Sequence, residues 1–299
     1  MAAQNIPAAE FDVTEDVVRS LLVAQHPDLA DRSLALVANG WDNVIFRLGD
    51  DLVVRMPRRQ LGADLVEHEQ RWLPDVAARV QIDIPVPVRH GVPSDEYPWK
   101  WSVCPWFVGT VAADAELRDP LAEARRLGNF VAALHTPAPA VAPRNTFRRG
   151  QPVRELTQRV DANVEVLGDL IDGDDVRARF HELASVGEWA HAPQWVHGDL
   201  HSANVIVSDG KISAVIDFGD ITAGDPAVDL AIAWMLFDPV SRAVFRRTAG
   251  GAVSIDEATW SRAQAWALHF ALVYLLHSAD NERFARMGSA LLRAAIVPE

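Results

Sequence analysis

Apolar positions in the first third of the chain recur with two periods. Thr14 precedes the acids Glu15 and Asp16, and then Val17, Val18, Leu21 and Leu22. A hydroxyl cap, acids in the first turn and an apolar stripe predict an amphipathic helix over 14–25. Apolar runs at 34–38, 44–48 and 52–56 follow, separated by Asn39-Gly40-Trp41-Asp42-Asn43 and Gly49-Asp50-Asp51. Turn residues between short apolar runs predict a three-stranded antiparallel meander. Helical spacing returns over about 61–79, where Leu65, Trp72, Leu73 and Val76 form a stripe. Ile84-Pro85-Val86-Pro87-Val88 is too rich in proline for a central strand and reads as a connection or an edge. A strand is expected over 101–108, with Pro105 and Gly109 marking a linker.

Beyond the linker the pattern is mainly helical. Asp119-Pro120 is a cap followed by a first-turn proline, and Leu121, Ala124, Leu127, Val131 and Leu134 follow at helical spacing. Further helices are expected near 152–172, 174–189, 226–237, 256–278 and 281–296. No internal repeat or low-complexity segment is evident. These elements predict an α+β protein: a small β-rich lobe over 1–103, a linker over 104–109 and a larger helical lobe over 110–299.

One segment departs from this pattern by its chemistry. Val196-His197-Gly198-Asp199-Leu200-His201-Ser202-Ala203-Asn204 leads into two apolar runs, 205–207 and 214–216, joined by Ser208-Asp209-Gly210-Lys211 and followed by Asp217-Phe218-Gly219-Asp220. A hairpin here brings Asn204, entering one strand, level with Asp217, leaving its partner. A carboxylate and an amide oxygen at one point make a hard-ligand site suited to Mg²⁺. Asp199, in the preceding loop, is placed to orient an attacking hydroxyl and take its proton while a metal neutralises a phosphoryl group. Each acid alone would read as an ordinary turn or strand-end residue; the ordered set carries the reading.

Composition narrows the partners. The 299 residues are 49% hydrophobic and 23% charged, with a net charge of −13, which argues against a nucleic-acid binder and suits either a cationic small molecule or solubility alone. The ten tryptophans exceed the needs of a core, so some are expected on ligand-facing surfaces. One cysteine, Cys104, excludes an internal disulfide and a cysteine-based zinc site. No signal peptide or bilayer-spanning run is evident, so a cytoplasmic protein is expected, monomeric by default.

The spacing from Asp199 to Asn204 and the literal Asp217-Phe218-Gly219 resemble the protein-kinase signatures. Gly198, where protein kinases carry arginine, and the continuation Gly224-Asp225-Pro226-Ala227-Val228-Asp229-Leu230-Ala231 make the chain similar to the aminoglycoside phosphotransferase family of antibiotic and metabolite kinases. The resemblance implies a protein-kinase-like bilobal fold and an enzyme that uses ATP or GTP and Mg²⁺ to phosphorylate a hydroxyl, most simply of an aminoglycoside. A macrolide is the first alternative, because 53–59 resembles the macrolide branch. A choline-, homoserine- or sugar-directed metabolite kinase and a non-catalytic nucleotide-binding module are the others.

Within that resemblance, Gly40 and Asn43 lie in the turn expected to cover the phosphates, and Arg55 stands where the family carries lysine. Glu69 lies on the Leu65–Leu73 stripe and is expected to pair with Arg55, unless it sits at the stripe's edge in water; Glu67 points elsewhere. The backbone of the linker at Cys104 and Trp106 is expected to face the purine. His197 is read as structuring the catalytic loop, and Asp229 as accepting hydrogen bonds from it or as a simple helix-dipole acid. Asp238, Asp280 and Glu282 are candidate acids for substrate amines. His135 and His277, near helix ends, read as capping or core residues.

Overall fold

The computed structural model describes residues 7–250, 255–277 and 281–298. Its contacts divide the chain into two compact units: one comprises Met1–Arg79, Asp83–Val108 and Ile216–Gly219, the other Val80–Ile82, Gly109–Val215 and Asp220–Glu299.

The first unit is built on an antiparallel sheet. Helix α1 (Glu15–Gln25) begins at Thr14, whose hydroxyl accepts the Val17 amide as the cap pattern predicts, and it buries Val18, Leu21 and Leu22. Strands β1 (Leu34–Asn39), β2 (Asn43–Leu48) and β3 (Leu52–Pro57) form the expected meander. Helix α2 (Gln60–Ala77) follows, then β4 (Arg89–Gly91) and β5 (Trp101–Pro105), and the sheet order is β1-β2-β3-β5-β4. Inward positions such as Val44, Phe46, Leu48, Val54, Met56, Trp101 and Val103 pack on α1 residues in one core. β5 stops at Pro105, short of the strand expected to 108, because proline has no amide to continue the ladder. The buried stripe of α2 runs through Ala63, Val66, Glu69, Leu73 and Val76; Glu69, Leu73 and Val76 lie where expected, while Leu65 and Trp72 are only partly buried.

The second unit is mainly helical. Strand β6 (Thr110–Val111) is followed by α3 (Pro120–Leu134), capped by Asp119, then by α4 (Thr157–Leu167) and α5 (Gly173–Ala184). Next come β7 (Gln194–Val196), the hairpin β8 (Val205–Ser208) and β9 (Lys211–Val215), and β10 (Thr222–Gly224). The remaining helices are α6 (Ala227–Leu230), α7 (Ile232–Leu236), α8 (Pro239–Thr248), α9 (Glu257–Leu276) and α10 (Glu282–Ala295). α9 is buried almost all round, as suits a helix at the centre of its unit.

Three expectations change in this unit. The helix expected over 226–237 is two short ones, and α8, not foreseen, starts at Asp238-Pro239, the same cap-and-proline signal that opens α3. The hairpin gains β6 as a third strand, in the order β6-β8-β9. β7 and β10 pair, Val196 opposite Thr222, on either side of the 197–221 segment in the chain. No helix among the described residues is long and apolar enough to cross a membrane.

Candidate active site

In the second unit, β7 delivers the chain into His197-Gly198-Asp199. Gly198 has φ +84°, and a Cβ there would stand 2.5 Å from the Asp220 carbonyl oxygen, so the arginine of protein kinases does not fit this backbone. Asp229, fully buried, accepts the His197 amide at 2.7 Å and the Gly198 amide at 2.9 Å, and lies 3.0 Å from His135 Nε2. His197 Nδ1 accepts the Asp199 amide at 3.2 Å. Asn204 Nδ2 donates to the Asp199 carbonyl at 3.0 Å, which fixes the orientation of its amide. The loop is thereby held at three successive peptide groups.

The Asp199 carboxylate has two cationic or polar neighbours. Arg149 Nη2 lies 3.0 Å from Oδ1, and His201 Nε2 lies 3.5 Å from Oδ2. Burial opposes ionisation, but Arg149, then His201 and His197, outweigh it and hold the carboxyl well below the usual carboxylate range. Asp199 is an anion at any physiological pH.

The first unit carries the other residues. Arg55, on β3, donates from Nη1 to Glu69 Oε1 at 2.7 Å, with both side chains buried. Its Nη2 lies 3.5 Å from Asp217 Oδ1. Burial would lower the guanidinium's affinity for its proton, but Glu69 and Asp217 raise it further, so Arg55 is a permanent cation. Asp217 has φ +65°, a left-handed conformation that aspartate tolerates better than most residues, and its side chain is 58% exposed. Non-glycine residues held there are enriched at functional sites.

The turn expected over the phosphates is fixed from below. Arg58 donates to Asn39 Oδ1 at 2.7 Å and to the Gly40 carbonyl at 3.1 Å, and Arg59 pairs with Asp42. A Cβ on Gly62 would meet the Asp42 carbonyl oxygen at 2.5 Å, so α2 approaches the turn as closely as backbone allows. Asn43 Oδ1 is buried without a hydrogen-bond partner among the described residues. Cys104 is buried, which pushes its thiol up to about 12, so it is a packing residue and no nucleophile. The Trp106 amide is occupied by the Asp51 carbonyl at 2.7 Å, and its ring carries the Arg47 guanidinium at 4.3 Å. Trp41, in the turn, is exposed; Trp101, Trp195, Trp234, Trp260 and Trp266 are core residues.

The candidate substrate acids stand elsewhere in their elements. Asp238 caps α8 through the Ser241 amide at 2.8 Å, a structural duty its sequence signal already implied. Glu282 lies exposed in the first turn of α10, and Asp280 falls outside the described residues. His135 and His277 are the C-terminal caps of α3 and α9. Two residues escaped the sequence reading. Arg149 sits in a loop with no periodicity, and Arg262, on the apolar α9, pairs with Asp225 at 2.6 Å. A lone arginine amid alanines, tryptophans and leucines was the available signal for Arg262.

The sequence profile of the family described as "Phosphotransferase enzyme family" matches residues 33–266, a span that includes every catalytic candidate above. The chain belongs to that family. As a phosphotransferase it is an enzyme that acts on an alcohol group. Solved structures share its kinase-like fold. The GDP complex of wild-type aminoglycoside 2'-phosphotransferase-IIIa is 19% identical, with a TM-score of 0.67 over 95% of this chain and 99% of that one. The GDP and kanamycin complex of APH(2")-IIIa is 21% identical, with a TM-score of 0.65 over 93% and 97%. The apoenzyme of macrolide 2'-phosphotransferase MphH from Brachybacterium faecium is 22% identical, with a TM-score of 0.60 over 93% and 98%. No curated protein matches the chain in sequence. Identities this low bear on the phosphotransferase's fold and leave its substrate open.

Proposed function

We propose that this phosphotransferase moves the γ-phosphoryl group of ATP or GTP onto a hydroxyl of a small molecule, with Asp199 as the group that orients the hydroxyl. The observation that carries the reading is Asp199 itself: a carboxylate kept ionised, on a loop whose amides are gripped by Asp229 and whose carbonyl is gripped by Asn204. An anion fixed in this way accepts a hydrogen bond from the acceptor hydroxyl and aligns its oxygen for in-line attack. The new O–P bond forms as the bridging bond to the β-phosphate breaks; the hydroxyl proton passes to Asp199, and the nucleoside diphosphate leaves.

Arg55 fits the phosphate-binding role because its guanidinium has donors beyond the one Glu69 takes. Asn204 Oδ1 and the Asp217 carboxylate are hard oxygen donors, and each would supply one ligand to Mg²⁺. When bound, the metal neutralises phosphate charge and holds the phosphoryl group for transfer. Gly40, Asn43 and the 104–106 linker would line the nucleotide. GDP and ADP complexes of the neighbours support the nucleotide. Three acceptor classes compete: aminoglycosides, supported by neighbours bound to kanamycin and gentamicin; macrolides, supported by macrolide 2'-phosphotransferases; and sugar-like or amino-alcohol metabolites.

The test is Mg²⁺-dependent transfer from ATP and from GTP to a panel drawn from all three classes. Asp199→Asn should lower kcat by about a thousandfold while nucleotide binding persists, as for loss of a general base. A variant with wild-type turnover would sink the assignment of Asp199.

A further inference from the structure

Asp199 has an internal cation as its nearest partner, and that cation is delivered by a built device. Residues 143–152 form a loop fastened to the segment after the catalytic hairpin. Asn145 donates from Nδ2 to Asp220 Oδ1 at 2.6 Å, and its amide donates to Thr222 Oγ1 at 3.0 Å. The Asn145 side-chain oxygen in turn accepts the amides of Phe147 at 2.8 Å and Arg149 at 3.3 Å. Gly150, at φ +72°, packs directly on Gly224, and its carbonyl accepts the Asp225 amide at 2.8 Å. Arg149 thus leaves a braced loop, lays its guanidinium 4.7 Å from the Phe270 ring centroid and reaches Asp199. It is 17% exposed.

The surroundings of this ion pair are aromatic and rich in unpaired polar atoms. His201, Tyr274 and Phe284 meet edge to face at 5.3–5.8 Å between centroids, and Phe270 stacks on Tyr274. Tyr274 Oη, His269 Nδ1 and Arg149 Nε are all buried with no hydrogen-bond partner among the described residues. Burial, then the Asp199 charge, pushes the Tyr274 hydroxyl well above its ordinary value, so it stays protonated and able to donate. Burial, then Arg149 and Arg159, lowers His269 to about 3, so it stays neutral. Buried polar atoms without partners in a native protein call for an explanation, and a ligand is one.

An ammonium group is a donor with no acceptor capacity. Beside Asp199 it would find a carboxylate already paired with Arg149, and a like charge in the guanidinium 3.0 Å from that carboxylate. A hydroxyl, carbonyl or carboxylate oxygen would meet no such repulsion and could accept a hydrogen bond from the guanidinium. Of the three acidic residues that suggested a cationic substrate, Asp280 falls outside the described residues. Asp238 is engaged in its helix cap, and Glu282 is exposed in the first turn of its helix.

We propose that Arg149 is a specificity-determining residue that selects an acceptor whose reacting hydroxyl is flanked by neutral or anionic oxygen groups, and rejects one flanked by an ammonium group. The inference rests on the phosphotransferase reading above and narrows its acceptor to oxygen-rich, sugar-like or hydroxy-acid compounds.

The experiment measures kcat/KM for the full chain, with Mg²⁺ and ATP or GTP, on matched triples. Each triple is an amino sugar or aminocyclitol, its parent with hydroxyl in place of the amine, and the corresponding acid. The wild type should prefer the hydroxyl and acid members by at least about tenfold, a modest share of a like-charge contact at partly shielded range. Arg149→Glu should reverse the order by lowering KM for the amine, Arg149→Gln should flatten it, and Arg149→Lys should retain it. Equal or better use of the amines by the wild type overturns the proposal while leaving the phosphotransferase intact, and so does turnover of other hydroxyl compounds with every neutral and acidic member untouched. Failure of Mg²⁺-dependent nucleotide binding, followed by its effect on thermal unfolding, would instead strike the underlying reaction and the proposal with it. The wild-type ranking stands alone should the Glu or Gln variants fail to fold.

Discussion

Arg55–Glu69 in the first unit and Arg262–Asp225 in the second are both buried ion pairs, and they spend their hydrogen-bonding capacity differently. In the second unit Arg262 reaches Asp225 through Nε at 2.6 Å, the Gly187 carbonyl through Nη1, and Thr259 Oγ1 through Nη2 at 2.9 Å. Asp225 in turn accepts the Ala227 amide at 3.0 Å. That network is closed: every guanidinium nitrogen of Arg262 has an internal partner, so it ties α9 to the start of α6. In the first unit Arg55 gives one short hydrogen bond to Glu69 and only a 3.5 Å approach to Asp217, which is itself strained and more than half exposed. That network is open. The same chemistry is spent wholly on structure where the arginine's donors are used up inside the protein; on the proposed function, Arg55 keeps donors for a phosphate.

Neutralising the carboxylate in each pair separates the two roles. Asp225→Asn leaves Arg262 as a buried charge without a counter-ion and should cost about 3–5 kcal/mol of stability, read by denaturant unfolding, with kcat per folded molecule near wild type. Glu69→Gln should reverse the emphasis. Arg55 keeps its charge near Asp217 but loses its anchor, so kcat/KM for the nucleotide should fall about ten- to a hundredfold, roughly 1.4–2.7 kcal/mol, with a smaller loss of stability. Comparable losses on both axes for both variants would erase the distinction between closed and open pairs.

A smaller perturbation tests the loop that braces Arg149. A Cβ on Gly224 would come within 2.3 Å of the Gly150 carbonyl oxygen, so Gly224→Ala forces backbone apart. It should destabilise by about 1–2 kcal/mol as an overpacking change and lower activity beyond what the unfolded fraction explains. Unchanged turnover in the folded variant would mean that the brace is not needed to place Arg149.

The last effect is a pH dependence. His269 is held to about 3 when folded, against about 6.5 unfolded, so the unfolded chain binds the extra proton between these values. Its contribution therefore falls away as pH drops below about 6.5. By pH 5.5 the loss should be about 1 kcal/mol. His269→Gln should flatten that part of the stability profile, seen as a smaller drop in urea midpoint between pH 7 and 5.5. An unaltered profile would place the acid sensitivity elsewhere.

What the chain declares on its own is local. The Thr14 and Asp119 caps, the 205–215 hairpin, the β1–β3 meander and the inward turn of Glu69 depend on residues a few positions apart, where periodicity and turn chemistry act directly. The placement of Asp199, Asn204 and Asp217 in one loop and at the two ends of one hairpin was legible for the same reason. Even the unforeseen α8 was written in Asp238-Pro239, a capping signal that the reading of Asp238 by its charge passed over. Tertiary structure decided the rest. β6, β7 and β10 are two or three residues long and exist only because a distant strand completes their hydrogen bonds. Arg149 meets Asp199 across fifty positions of chain, and Arg262 meets Asp225 across 37. No periodicity links such pairs; each arginine's partner follows from the one carboxylate that packing leaves within its reach, in surroundings where an unpaired charge would be too costly to bury.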